Sequence, residues 1–149
     1  MLDGAMSGPR PPEVSLSVRQ RAILDRLARR ATSPQRLVRR VPVADAVMRY
    51  ALSIVRTSRP KSKQAPESVK KFVAFGASVR AAQYLVLGAK ARALTQGRYH
   101  VSYEDIRALA HPVLRHRVLT NFRAESEGIT TDSIIDELLG AVPTPKSGM

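Results

Sequence analysis

The sequence predicts an all-α fold, a small helical bundle preceded by a basic helix and a polar tail. Three observations carry that expectation. Apolar residues recur at three- and four-residue steps from Val43 to Leu139, the spacing of helices that bury one face. No alternating apolar–polar run of useful length marks a strand. The stretch from Val79 to Gln96 is apolar nearly all round, as expected of a helix enclosed by neighbours. At 149 residues the chain is about one domain, large enough to build a core without staples.

Residues 1–12 hold three prolines and two glycines with little to bury, and read as a disordered tail. Ser15 or Ser17 can cap a helix running to about Ala31. Val18, Ala22, Ile23 and Leu27 form its apolar stripe, and Arg19, Arg21, Arg26, Arg29 and Arg30 cover its other faces. Pro42 fits the first turn of a second helix, which carries Val43, Val47, Tyr50, Ala51 and Ile54 inward up to about Ser58. A polar, proline-bounded linker occupies 59–66. A short helix from Pro66 or Glu67 turns Val69, Phe72 and Val73 inward and closes at Gly76, read as its left-handed terminator.

Ser78 is the expected N-cap of the central helix, its hydroxyl accepting a backbone N–H two or three residues on. One face of that helix is Ala82, Leu85, Val86, Ala89 and Ala93; Tyr84, Leu87, Ala91 and Leu94 cover most of the other. Its alanines and Gly88 allow close approach, and Gly97 stops it. Ser102-Tyr-Glu-Asp105 has the form of a capping box with Asp in the acidic position. It opens a helix with Ile106, Leu109 and Ala110 inward, and His111-Pro112 resets the chain. Val113, Leu114, Val118 and Leu119 make the next stripe. Thr130 or Thr131 then caps a last helix with Ile134, Ile135, Leu138 and Leu139 inward, and the chain is loose from Val142.

Composition removes several classes of chemistry. There is no cysteine, so disulfides, thiolate metal sites and Cys–His catalysis are excluded. His100, His111 and His116 do not stand at the spacing that sets two imidazoles on one helical face, so no metal site is expected. No glycine is followed by lysine, so the chain has no phosphate-binding P-loop; it also lacks a Gly-x-Ser-x-Gly elbow. No complete catalytic set remains, and no cofactor is expected for this chain alone. The apolar run from Ala81 to Ala89 is broken by Gln83 and is far shorter than the ~20 residues of a membrane span. With no apolar signal segment at the start, a cytoplasmic location is the expectation. The net charge of +13 raises affinity for polyanions, and it is uneven: eight arginines lie between Arg19 and Arg40 against one acid, Asp25.

Arg80 breaks a local rule. It falls in the first turn of the central helix, where the dipole disfavours a cation. A helix N-terminus beside a guanidinium is suited to holding a phosphate.

Two resemblances bear on these residues. Residues 15–40, from Ser-Leu-Ser-Val-Arg-Gln-Arg to Gln-Arg-Leu-Val-Arg-Arg, resemble the opening of insertion-sequence transposases, in which such a helix leads into a DNA-binding region. That likeness implies Arg19, Arg21, Arg26, Arg29 and Arg30 as candidate DNA contacts. It stops at about Arg40, and no recognition helix or catalytic carboxylate set comes after it.

The second resemblance covers residues from about 37 to the end. Val-Arg-Arg-Val-Pro-Val-Ala-Asp at 38–45, Gly-Ala-Ser-Val-Arg-Ala at 76–81 and Ala-Lys-Ala-Arg-Ala-Leu at 89–94 belong to it, as does Gly-Arg-Tyr-His-Val at 97–101. Asp-Ile-Arg-Ala-Leu-Ala-His-Pro-Val-Leu-Arg-His-Arg at 105–117 and Asn-Phe-Arg-Ala-Glu at 121–125 complete it. Together they resemble the C-terminal lid of MoxR-type AAA+ ATPases. The resemblance implies a helical bundle that closes over ATP and Mg held by a preceding α/β module. It implies ring partners of the same kind and chaperone-like remodelling of client proteins. It makes Arg80 the counterpart of the sensor 2 arginine that approaches the γ-phosphate; Val79 stands where the family usually has proline.

The organisation expected is therefore a transposase-like segment at 1–36 and a lid-like domain at 37–149. The nucleotide-binding module expected before residue 37 is replaced by the transposase-like piece. A truncated or rearranged reading frame joined near 35–40 accounts for this, and so would a deliberate fusion. The leading reading is a lid fragment inactive alone, with an exposed face where an ATPase module would rest. A DNA-binding module led by the basic helix and a helical adaptor without ligand are the alternatives.

Overall fold

The computed structural model describes residues 17–19, 22 and 34–145. The tail expected at 1–12 and most of the basic helix expected up to Ala31 lie outside the described residues; Val18, Arg19 and Ala22 are helical and exposed. The chain divides into two units, residues 1–31 and 32–149, and the second holds the bundle.

The fold is all-α, as expected. Its helices are α1 (Pro34–Arg40), α2 (Asp45–Thr57), α3 (Glu67–Phe72), α4 (Val79–Thr95), α5 (Tyr103–Ala108), α6 (Ala110–Leu114), α7 (Phe122–Ser126) and α8 (Thr131–Ala141). A two-stranded antiparallel ribbon, β1 (Val73–Phe75) with β2 (Leu119–Thr120), ties the middle of the chain to its last third. Helix α4 is the axis, in contact with α1, α2, α5 and α6. Ala81, Leu85, Ala89 and Ala93 on its inner face are fully buried. The core also takes Val47, Ala51 and Ile54 from α2, Ile106 from α5 and Ile134, Ile135 and Leu138 from α8.

Several expectations change. Helix α2 begins at Asp45, because Val41 to Ala44 are non-helical and Ala44 is the N-cap; Pro42 lies before the helix. Helix α1 has no counterpart among the helices expected from sequence. The short helix stops at Phe72, and Val73–Phe75 pair with β2 instead of continuing to Gly76. That run of three, Val-Ala-Phe, is too short to show alternation, and its partner lies more than forty residues on. Likewise Leu119, expected on a helical stripe, lies in β2 and is exposed.

Gly76 is not left-handed: among the described residues only Gly97 and Gly128 have positive φ. Gly76 is required for space, since a Cβ there would lie 2.3 Å from the Ser58 carbonyl oxygen. Gly97 does end α4, at φ 74°, and the Ser102–Asp105 capping box forms in full. The second face of α4 is not enclosed. Tyr84 and Leu87 are about half exposed, at 50% and 49%.

Gly88 admits Leu109, the residue after α5, whose Cδ1 would lie 2.9 Å from an added Cβ. That contact is the end of a flexible side chain, and alanine regains about 1 kcal/mol of helix propensity. Gly88→Ala is therefore expected to move stability by less than about 1 kcal/mol either way, read as a small shift in thermal midpoint.

Candidate functional site: the N-terminal end of the central helix

The turn that launches α4 is pinned from behind. Ser58, buried at the C-terminal end of α2, accepts the Ala77 N–H on its hydroxyl oxygen at 3.0 Å and donates to the Val55 carbonyl at 2.7 Å. Arg59 Nε donates to the Ala77 carbonyl at 3.2 Å. With Gly76 backed against the Ser58 carbonyl, the segment 76–78 has a fixed course and delivers Val79 and Arg80 to the surface. Ser78 occupies the N-cap, but its hydroxyl takes none of the first-turn N–H groups, contrary to the sequence expectation; the Ser78 carbonyl accepts from Ala81 N–H at 2.9 Å instead.

Arg80 is exposed, and among the described residues it has no hydrogen-bond or ion-pair partner. The other arginines of the motifs from residue 76 onward are all engaged within the bundle. Arg92 and Arg98 hold the Asp105 carboxylate at 2.5 and 2.6 Å. Arg107 donates to the Tyr50 hydroxyl at 3.1 Å and the Leu139 carbonyl at 3.0 Å, joining α2, α5 and α8. Arg115 grips Asp132 through two bonds of 2.7 Å, and Arg123 pairs with Glu127 at 2.8 Å. Arg117 donates to the Val113 carbonyl at 2.6 Å and lies over the Tyr84 ring. Phe75 and Val79, close to Arg80 in the chain, are exposed at 70% and 57%.

The Asp105 cluster is the strongest electrostatic feature of the bundle, and only half of it can be read from sequence. The capping box is legible there, whereas the two arginines that reach the same carboxylate are not adjacent to it in the chain. Burial alone would push the Asp105 carboxyl up. Hydrogen bonds from Arg98, from the Ser102 backbone N–H, from Arg92 and from the Ser102 hydroxyl outweigh that and hold it well below the usual carboxylate range. The cluster locks the C-terminal end of α4 to the start of α5, as the Ser58–Ala77 contact locks its N-terminal end to α2.

No group of three or more His, Asp or Glu side chains that could hold a metal occurs among the described residues. No described helix is long and apolar enough to cross a membrane. Of the candidate DNA contacts, Arg19 is exposed, and Arg21, Arg26, Arg29 and Arg30 lie outside the described residues.

Residues 66–138 of this bundle, which include the long central helix introduced by Gly-Ala-Ser-Val-Arg, match the AAA lid domain family. Among curated proteins, chaperone MoxR1 of Mycobacterium tuberculosis is 32% identical over 104 residues, 70% of this chain and 28% of that protein. The uncharacterised protein YeaC of Bacillus subtilis is 34% identical over 111 residues, 74% of this chain and 32% of that protein. A crystal structure of a candidate ATPase from Cytophaga hutchinsonii aligns with a TM-score of 0.70 and 33% identity, over 74% of this chain and 34% of that one. These likenesses support a MoxR-type AAA+ lid and a piece of an AAA+ ATPase. The chain spans about a third or less of the length of the curated relatives it matches.

Proposed function

We infer that this bundle serves as the lid of a MoxR-type AAA+ ATPase, presenting Arg80 as a sensor 2-like cation to ATP held on a nucleotide-binding module that is not among these 149 residues. The observation that carries this reading is the contrast among the arginines. Arg80 is exposed and unpartnered among the described residues, where the other arginines of the motifs from residue 76 onward are committed to bonds within the bundle. A rigid turn delivers it, and exposed Phe75 and Val79 beside it offer apolar area for a module to rest on. Such a module would supply the P-loop and the Mg site, and its ring would supply the other AAA+ subunits; a cytoplasmic setting and remodelling of client proteins belong to the same reading.

For the 149-residue chain alone the reading implies inactivity. Arg80 and a helix end offer a few charge-assisted hydrogen bonds of ~1.5–3 kcal/mol each before ordering costs, which sets nucleotide affinity on the order of millimolar at best. The purified chain is expected to show no ATP turnover. Turnover that persists through purification and disappears in Arg80→Ala would refute the reading.

The arginine-rich segment before residue 41 favours a second reading, a transposase-like DNA-binding function led by the residues around Arg19. Binding to duplex DNA with a steep salt dependence, abolished by deleting residues 1–36, is its expected signature. Binding that survives the deletion would contradict it.

A further inference from the structure

Running on from the Arg80 turn, the outer side of α4 carries a long apolar trough. It consists of two adjoining hollows of about 670 and 380 Å³ that share Arg39 and Leu87 as common wall. Tyr84 and Leu87 form the floor from α4, and Met48 and Leu52 of α2 rise on one side at 38% and 42% exposure. Contiguous exposed apolar surface of this kind marks an interaction site on a soluble domain. From Val79 to Ala91 the floor runs about 18 Å, the length of roughly three helical turns.

The rim is of one sign. Arg39 lines both hollows, Arg117 the first and Lys90 the second, and among the described residues no acidic side chain lines either hollow. Arg39 and Lys90 are held together by a bond from Lys90 Nζ to the Arg39 carbonyl at 3.2 Å, and Arg117 is fixed over Tyr84. The fold places these cations beside the apolar floor.

We propose that this trough is a docking groove for an acidic amphipathic helix of a partner protein. Apolar side chains at helical spacing would enter the two hollows while carboxylates met the cationic rim, the helix-in-groove mode of recognition. Charge complementarity chooses the occupant. A chain of net charge +13 repels a second copy of itself at a cationic rim and steers an acidic segment towards it.

The test uses the full chain and a fluorescein-labelled peptide of about four helical turns, with leucines at i, i+3, i+4 and i+7 spacing and glutamates elsewhere. A scrambled peptide of the same composition and a lysine-for-glutamate version serve as comparisons. Fluorescence anisotropy is expected to give the patterned acidic peptide an affinity about tenfold or more above either comparison. Leu87→Glu, at a half-exposed site that leaves the core intact, should weaken it by about tenfold, and Arg39→Glu likewise. Circular dichroism of both variants should match the parent. Equal binding of patterned and scrambled peptides, absence of binding at about 100 µM, or indifference to Leu87→Glu would each overturn the proposal and leave the trough to another occupant, such as an ATPase module.

Discussion

Asp105→Ala is expected to lower stability by about 3 kcal/mol, the scale for removing one partner of a buried ion pair. The substitution leaves the Arg92 and Arg98 guanidinium groups, only 33% and 30% exposed, without the carboxylate that neutralises them, and it dissolves the capping box of α5. Partial exposure of the two arginines keeps the loss at the lower end of the range for fully buried pairs. Asp105→Asn, which retains a cap acceptor without the charge, should fall between Asp105→Ala and the parent. Chemical denaturation gives both values directly.

The same carboxylate sets the acid response. Its folded-state value is depressed, so the stability it contributes is complete above the ordinary Asp value near ~3.9 and is lost as pH falls through the depressed one. The parent should therefore lose stability steeply below about pH 4, and Asp105→Asn should show a shallower slope over that window. Asp132 and Glu127 are also held low, chiefly by Arg115 and Arg123, but lie at the surface where solvent screens their contribution.

Gly76→Ala carries the second large effect. An added Cβ would run into the Ser58–Arg59 peptide, at 2.3 Å from the Ser58 oxygen, 2.6 Å from its carbonyl carbon and 2.7 Å from Arg59 Cα. None of these can rotate away, so α2 and the turn must separate, at a cost of about 3 kcal/mol. The separation breaks the Ser58–Ala77 and Arg59–Ala77 hydrogen bonds that aim Arg80. Gly88→Ala, which meets only the tip of Leu109, is the matched control with little expected loss. A pair of similar thermal midpoints would show that the backbone approach at Gly76 carries no such weight.

Most of the bundle is legible in the sequence because helical periodicity is a local signal. Val47, Tyr50, Ala51, Ile54, Leu85, Ala89, Ile106, Ile134 and Leu138 are all expected inward and are buried. The ribbon is not legible, because Val73 and Thr120 find each other only through the tertiary fold. Gly76 marks a real boundary, but not through a left-handed turn: a helix-ending glycine and a glycine pressed against a carbonyl look alike in sequence. Arg92, Arg98 and Asp105 converge from the end of one helix and the start of another, so their partnership depends on the packing of α4 against α5. Arg80 is the reverse case. Its oddness in the first turn is visible from sequence, while the lack of an internal partner among the described residues emerges only from the fold.

The most direct measurement is an NMR titration of the isotope-labelled chain with ATP. The lid reading predicts weak binding, on the order of millimolar, with the largest shifts at residues 76–81 and their loss in Arg80→Ala. Micromolar binding, or shifts centred elsewhere and indifferent to Arg80→Ala, would contradict the assignment of that helix end to nucleotide.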